Sequence, residues 1–248
     1  MSTDTIVVLD TETTGTSDQP DAALLEISTV ALMLEPSGWT LGDAQSYMVA
    51  HEGPIPPTAK AVHHITEEMV DPRRHAGVSH PDSNIFQREL ILHGMLAAEE
   101  PGNMMYAAHN AAFDQHFLPE LRLPWICTLR VARHIWPEAP AYGNQVLRYW
   151  LGEEPPAALV RGLAPHRALY DTAVTAMVLL RMLRDRTPEE LHELTLAPIL
   201  QQSVGFGKHR GQPWSEIPRD YLRWLRDKSD LYRGDPDLRH TIDHWLRA

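Results

Sequence analysis

The residue types that could do chemistry fall in three short stretches. In DTETTG, Asp10 and Glu12 are separated by one residue. If that stretch closes a β-strand, alternate side chains share a face and the two carboxylates point the same way. Neighbouring carboxylates repel unless a cation lies between them, and hard, oxygen-preferring ions such as Mg2+ or Mn2+ suit the arrangement. A solvated acidic turn capped by threonines would look the same in isolation. In AAHNAAFD, His109 and Asn110 precede Asp114. There Asp114 falls in the first turn of a helix, where a carboxylate also serves simply as a favourable charge near the positive end of the dipole, with Asn110 as cap. In PHRALYDTA, His166 and Asp171 are five residues apart. That is about 140° of rotation at 3.6 residues per turn, so the two meet only if His166 lies at or before the helix start. Pro165, suited to a first helical turn, allows that placement.

Elements must hold these groups in place. Ile6 to Asp10 is short, apolar and β-branched and predicts a buried strand; Leu24 to Leu34 predicts a second after the turn from Gly15 to Pro20, and Ser46 to Ala50 a third. Asn84 can cap a helix carrying Ile85, Leu90, Ile91 and Leu92 as far as Leu96. Met104 to Ala108 predicts a fourth strand, Ala112 to Leu121 a helix, and Trp125 to Leu129 a fifth strand. Pro165 opens the longest helix, through Leu183. Strands followed by alternating strands and helices predict an α/β layered core over residues 1–184. A boundary at Asp185 to Pro188 and a connecting helix at about Glu189 to Gln202 fill 185–202. A small accessory unit then spans 203–248, with the turn GFGKHRGQPW and two helices near Glu216 to Lys228 and Pro236 to Arg247.

With 248 residues, the chain has room for a full core and a small appendage. Apolar residues at 43% and charged residues at 22% are ordinary for a globular chain. A single cysteine, Cys127, excludes an internal disulfide and a zinc site built on cysteine pairs, and the 14 histidines show no HExxH spacing. The N-terminus lacks the basic and cleavable features of a leader, and no run of about 18 apolar residues occurs, which predicts a cytoplasmic chain that does not enter a membrane. A net charge of −11 argues against a broad electrostatic grip on nucleic acid. The charge is uneven: residues 201–248 carry nine Lys and Arg against seven Asp and Glu, a balance of +2 against −13 for the rest.

DTETTG, HNAAFD and HRALYD together resemble the three motifs of the DEDDh exonucleases, a ribonuclease H-like family. AVHHITEEMV, WICTLRVARHIWP and FGKHRGQPW are similar to stretches of the exonuclease X branch of that family in bacteria, and the likeness covers nearly the whole chain. The resemblance implies a ribonuclease H-like core, a mixed five-stranded sheet flanked by helices, and 3′ to 5′ hydrolysis of DNA ends to nucleoside monophosphates with two Mg2+ or Mn2+ ions, in repair or end processing. It implies that Asp10, Glu12 and Asp171 hold one ion, that Asp10 and Asp114 hold the other, and that His166 takes a proton from the attacking water. An imidazole, titrating near pH 6.5, suits that task. By the same resemblance Thr11, Thr13, His63, Asn110 and Phe113 are candidates for the terminal nucleotide. The partners implied are single-stranded or duplex 3′ ends, and a homodimer is compatible with it. One departure stands out: members usually carry an apolar residue after the motif glycine, wedged against the terminal base, and this chain has Thr16.

Rival functions remain. An RNA-trimming member would carry the same motifs, because recognition of a 2′-hydroxyl cannot be read from them. The proofreading subunit of a polymerase would not be expected to contain FGKHRGQPW. A catalytically idle nucleic-acid-binding module is disfavoured by five filled catalytic positions. In the tail, Lys208 and Arg210 lie between Gly207 and Gly211, where glycines let phosphate approach the backbone, and this predicts accessory DNA binding. Trp214, Tyr221, Trp224 and Trp245 are expected to pack on each other or on the core, since fewer than about 50 residues scarcely fold alone.

Overall fold

The computed structural model describes residues 3–75 and 85–247, with only the backbone at 74 and 75. Strands β1 (Thr5–Thr13), β2 (Leu24–Glu35) and β3 (Gly38–Val49) form an antiparallel meander. Three shorter strands, β4 (Ile85–Phe86), β5 (Met104–Ala108) and β6 (Trp125–Cys127), join in parallel, giving the order β4-β3-β2-β1-β5-β6. The helices are α1 (Pro57–His63), α2 (Glu67–Val70), α3 (Arg88–Ala97), α4 (Ala112–Phe117), α5 (Thr128–Ile135), α6 (Asn144–Leu151), α7 (Ala157–Val160), α8 (Ala168–Met182), α9 (Pro188–Leu196), α10 (Arg219–Lys228), α11 (Asp230–Gly234) and α12 (Pro236–Arg247). None is long and apolar enough to cross a membrane.

Alternation along β1 divides the core between two faces. Leu9 joins Ile27, Tyr106 and Trp125 in one apolar cluster, completed by Ile91 and Leu92 of α3 and Phe117 of α4. Helix α8 packs against β1, β2 and β3 with a face built largely of small and β-branched residues, among them Ala173, Val174, Ala176 and Val178. Small side chains let a helix backbone approach a sheet closely, which brings the start of α8 to the end of β1.

The sheet has six strands where five were expected. Ile85 and Phe86, assigned from sequence to a helix, instead pair with Met48 and Val49 at the sheet edge, and α3 starts only at Arg88. Asn84, the expected cap, lies outside the described residues. The strand expected from Trp125 to Leu129 stops at Cys127, because the buried Thr128 already begins α5. The longest helix opens at Ala168 rather than Pro165, since His166 has φ +65°, a left-handed conformation no helix accommodates. Helix α4 ends at Phe117, before Pro119, and α9 at Leu196, before Pro198.

The described residues divide into two compact units. One takes in residues up to 132 together with 138–195, the other residues 133–137 together with those from 196 onward. The second unit has an apolar core of its own: Val204, Trp214, Ile217, Leu222, Leu225, Leu238 and Ile242 are buried, with Tyr221, Tyr232 and Trp245 packed around them. Trp214, Tyr221 and Trp245 thus meet the expectation of internal packing, and Trp224 stacks on Tyr221 while remaining 52% exposed.

Candidate active site

Asp10 and Glu12 leave β1 on the face that α8 covers, and Asp171, in the first turn of α8, meets them there. Carboxylate oxygens of all three lie within 4.8 Å of one another. Thr11, between them, points to the opposite face and donates its hydroxyl hydrogen to Asp114 Oδ1 at 2.8 Å. That bond ties the buried Asp114 of α4 to β1, close enough for its charge to act on Asp10. Asp114 itself stands outside the trio. Ahead of it, Asn110 takes φ +66° to turn the chain from β5 into α4, a conformation that asparagine tolerates better than most residues.

The strained backbone at His166 has a consequence for Asp171. It lets the His166 N–H donate to Asp171 Oδ2 at 2.9 Å, across the five-residue spacing that a continuous helix would have kept apart. The His166 ring is exposed, with Nδ1 4.0 Å from the same oxygen. Asp171 Oδ1 accepts from Gln145 Nε2 at 3.0 Å, and Asn144 donates to the Asp171 carbonyl and to Thr175 Oγ1. The start of α6 thus buttresses the start of α8.

Sequence reasoning missed Gln145 and Asn144, and it also missed a second pair. Glu26 of β2, opposite Glu12 in the β1–β2 register, is 2% exposed. It accepts from Arg167 Nε and Nη2 at 3.0 and 2.8 Å and from the Ala168 N–H at 3.1 Å. One carboxylate therefore caps the first turn of α8 and neutralises the arginine beside His166. No motif spacing announces Glu26; only the strand register does.

The electrostatics of this corner are those of crowded, poorly solvated acids. Burial, then the charges of Asp114, Glu12, Asp171 and Glu26, push the Asp10 carboxyl well above the usual carboxylate range. Burial, with help from Glu26 and Asp171, lifts Glu12 to about 9, Arg167 opposing it. Burial lifts Asp114 to about 7 despite the Thr11 hydrogen bond, and it raises Asp171 against the His166 N–H and the Gln145 amide. Four acids converge while the neighbouring guanidinium of Arg167 is committed to Glu26. An oxygen-only donor set with unbalanced negative charge fits a hard divalent cation.

The other candidate residues sit as follows. Thr13 donates its hydroxyl to the Gly15 carbonyl at 2.6 Å. His63 is buried; its Nδ1 accepts from the Ile65 N–H, so its Nε2 carries the proton and donates to the Thr13 carbonyl at 3.2 Å. Burial holds the His63 imidazole below its ordinary pKa. The side chains of Thr11, Thr13 and His63 therefore spend their hydrogen bonds on holding the β1 exit in shape. Asn110 is exposed, and the half-buried Phe113 ring packs on Phe117 at 5.1 Å. Thr16 is exposed in a turn closed on itself, its hydroxyl on Asp18 at 2.5 Å and its N–H on Gln19 Oε1 at 3.0 Å. A Cβ on Gly15 would lie 1.8 Å from that same amide oxygen, so a larger residue there would displace the Gln19 side chain from the turn. Lys208 and Arg210 belong to the second unit.

The chain was compared with known proteins. An exonuclease family model (RNase_T) matches residues 7–179. Exodeoxyribonuclease 10 of Escherichia coli K12 is 34% identical over 247 residues, covering 96% of this chain and 97% of that protein. A PolC-type DNA polymerase III of Bacillus cereus is 27% identical over 226 residues, which is 86% of this chain and 14% of the polymerase. Among solved structures, exonuclease X in complex with 5′ overhanging duplex DNA superposes with a TM-score of 0.58 at 31% identity, covering 77% of this chain and 99% of that one. The nuclease domain of 3′hExo, a DEDDh family member bound to rAMP, shares the fold with a TM-score of 0.54 at 19% identity, covering 75% and 94%. With a six-stranded α/β core of that kind, and a family match spanning DTETTG, HNAAFD and HRALYD, the chain belongs to the DEDDh exonucleases.

Proposed function

We propose that the chain is a 3′ to 5′ exodeoxyribonuclease that removes nucleoside monophosphates from DNA 3′ ends using two Mg2+ or Mn2+ ions. The observation that carries this reading is the meeting of Asp10, Glu12 and Asp171 within 4.8 Å, beside an exposed histidine. The DNA substrate is supported by the full-length likeness to a protein named exodeoxyribonuclease 10. In this reading Asp10, Glu12 and Asp171 hold one ion, and Asp10 and Asp114 the other.

Bound there, divalent cations would neutralise phosphate charge, acidify water and stabilise the departing 3′ oxygen. The protein's own part is then mostly positioning. Thr11 fixes the Asp114 carboxylate, while Gln145 and the His166 N–H fix that of Asp171. The His166 ring, held outside the helix and open to solvent, accepts the proton of the attacking water and hands it to bulk. Asn110 and Phe113, at the turn into α4, face the terminal nucleotide.

The test is one set of 5′-labelled strands: single-stranded DNA, duplex DNA with different ends, and matched RNA, each in Mg2+ and in chelator. Mg2+-dependent ladders that shorten from the 3′ end of DNA are the expected result. Equal or faster trimming of RNA would replace the DNA assignment, and metal-independent release would remove the mechanism.

A further inference from the structure

The second unit carries an exposed patch that its own core does not use. Helix α10 buries Leu222 and Leu225 and turns Trp224 outward. Large aromatics left in water on a folded surface commonly mark contact sites. The Trp224 ring lies nearly parallel to Tyr221, centroids 5.6 Å apart and planes 18° from each other. The turn between Gly207 and Gly211 also rests on Tyr221. Lys208 Nζ is 4.9 Å from the ring centroid, and a Cβ on Gly207 would lie 3.3 Å from the Tyr221 hydroxyl. Both glycines have positive φ, +61° and +85°, which the tight turn demands.

Three cations of α10 and α11 are tied to neighbouring acids. Arg223, Arg226 and Arg233 are each paired with an aspartate, Asp220, Asp227 and Asp230. Lys208 and Arg210 are exposed and have no carboxylate partner among the described residues. Two cations without carboxylate partners, in a turn that rests on the same Tyr221 as the exposed Trp224 ring, suit a single nucleic acid strand. Its bases stack on any aromatic ring whatever the sequence, and its phosphates take the charge. A peptide could also use Trp224, but it would not account for the placement of charge in the chain. Residues 201–248 carry +2 while the rest carries −13, so a polyanion is drawn to this segment.

We propose that Trp224, backed by Tyr221, forms with Lys208 and Arg210 a stacking platform for single-stranded DNA in the second unit. The proposal rests on the assignment of DNA as substrate. Its test uses the full chain and a fluorescent 30-nucleotide oligo-dT in chelator, where binding is read without cleavage. Trp224→Ala weakens binding on the order of tenfold, the effect of losing one stacked base, while Trp224→Phe retains most of it. Lys208→Ala with Arg210→Ala lowers the slope of log affinity against log salt by about 1.4, or roughly 0.7 per lost phosphate contact. In Mg2+, all variants hydrolyse the p-nitrophenyl ester of thymidine 5′-monophosphate at the parent rate, and their melting temperatures match it. Unchanged affinity and slope overturn the platform in favour of a protein partner, and an affinity loss accompanied by an equal loss of fold overturns it in favour of a structural role. Failure of the parent chain to hydrolyse the ester or any strand sinks the exonuclease reading instead, and the binding measurement in chelator separates the two.

Discussion

At the scale of single residues, the site is a set of buried acids that conflict with one another and a histidine that does not. Asp10 feels four other carboxylates, so Asp10→Ala should abolish Mg2+-dependent hydrolysis while the fold persists or gains stability, because repulsion is relieved. Near-parent turnover of the purified variant, or its failure to fold, would contradict this assignment. His166 is exposed and supports the fold through its backbone N–H, a group that alanine retains. His166→Ala is therefore expected to lower turnover by about 10² to 10⁴, the range for a positioned general base, with strand affinity nearly unchanged. Single-turnover rates at saturating strand measure it; a fall in affinity with preserved turnover would make His166 a binding residue. The grouping at this scale was largely legible in the sequence, because Asp10, Glu12, Asp114, His166 and Asp171 sit in short motifs with fixed spacing. Glu26 and Gln145 were not. Each acts through a partner 141 and 26 positions away respectively, and only tertiary structure brings them to the site.

At the scale of elements, the question is what pins the start of α8 to the sheet. Glu26 supplies a carboxylate to the Arg167 guanidinium and to the first N–H of the helix, and the Thr172 hydroxyl reaches both the Ala168 and the Ser28 carbonyls. Removing one partner of a buried pair leaves the other uncompensated. Arg167→Ala should therefore destabilise the chain by about 3 kcal/mol, at the lower end for such pairs because the guanidinium keeps some solvent. Urea unfolding checks the magnitude, and a loss under about 1 kcal/mol would mean that the capping N–H alone suffices. Strands β1 and β2 and helix α8 were readable from apolar runs, whereas only the end of β3, from Ser46, was; its first residues alternate too weakly and are mostly exposed or half-buried. Helices α1, α6 and α7 were not: they are short, open after Pro56, Gly143 and Pro156, and bury few residues, so their pattern is too brief to separate from loop. The start of α8 was misplaced for a different reason. Proline favours a first turn, but the contact between His166 and Asp171 imposes a left-handed residue after it.

At the scale of the whole molecule, a chain of net charge −11 crowds Asp10, Glu12, Asp114 and Asp171 into one partly buried corner. In the absence of cations those acids hold protons more tightly when folded than when unfolded. Their contribution to stability is thus complete below the ordinary carboxylate pKa values of 3.8 and 4.5. It is lost as pH rises through about 7 for Asp114 and about 9 for Glu12. A divalent cation takes the place of the protons, so its binding must release them and must strengthen with pH. The expected result is a melting temperature that Mg2+ raises little near pH 5 and progressively more toward pH 9. Glu67, whose carboxyl the Lys60 ammonium holds down at about 2, titrates below this range and adds nothing to it. The difference between Mg2+ and chelator at each pH cancels every group the ion does not touch. Scanning fluorimetry of that difference, with calorimetry in two buffers of unlike ionisation heat to count released protons, measures the coupling. A Mg2+ shift that stays constant from pH 5 to 9, with no proton release, would mean that the ion binds elsewhere on the acidic surface and that Asp10, Glu12, Asp114 and Asp171 are not its ligands.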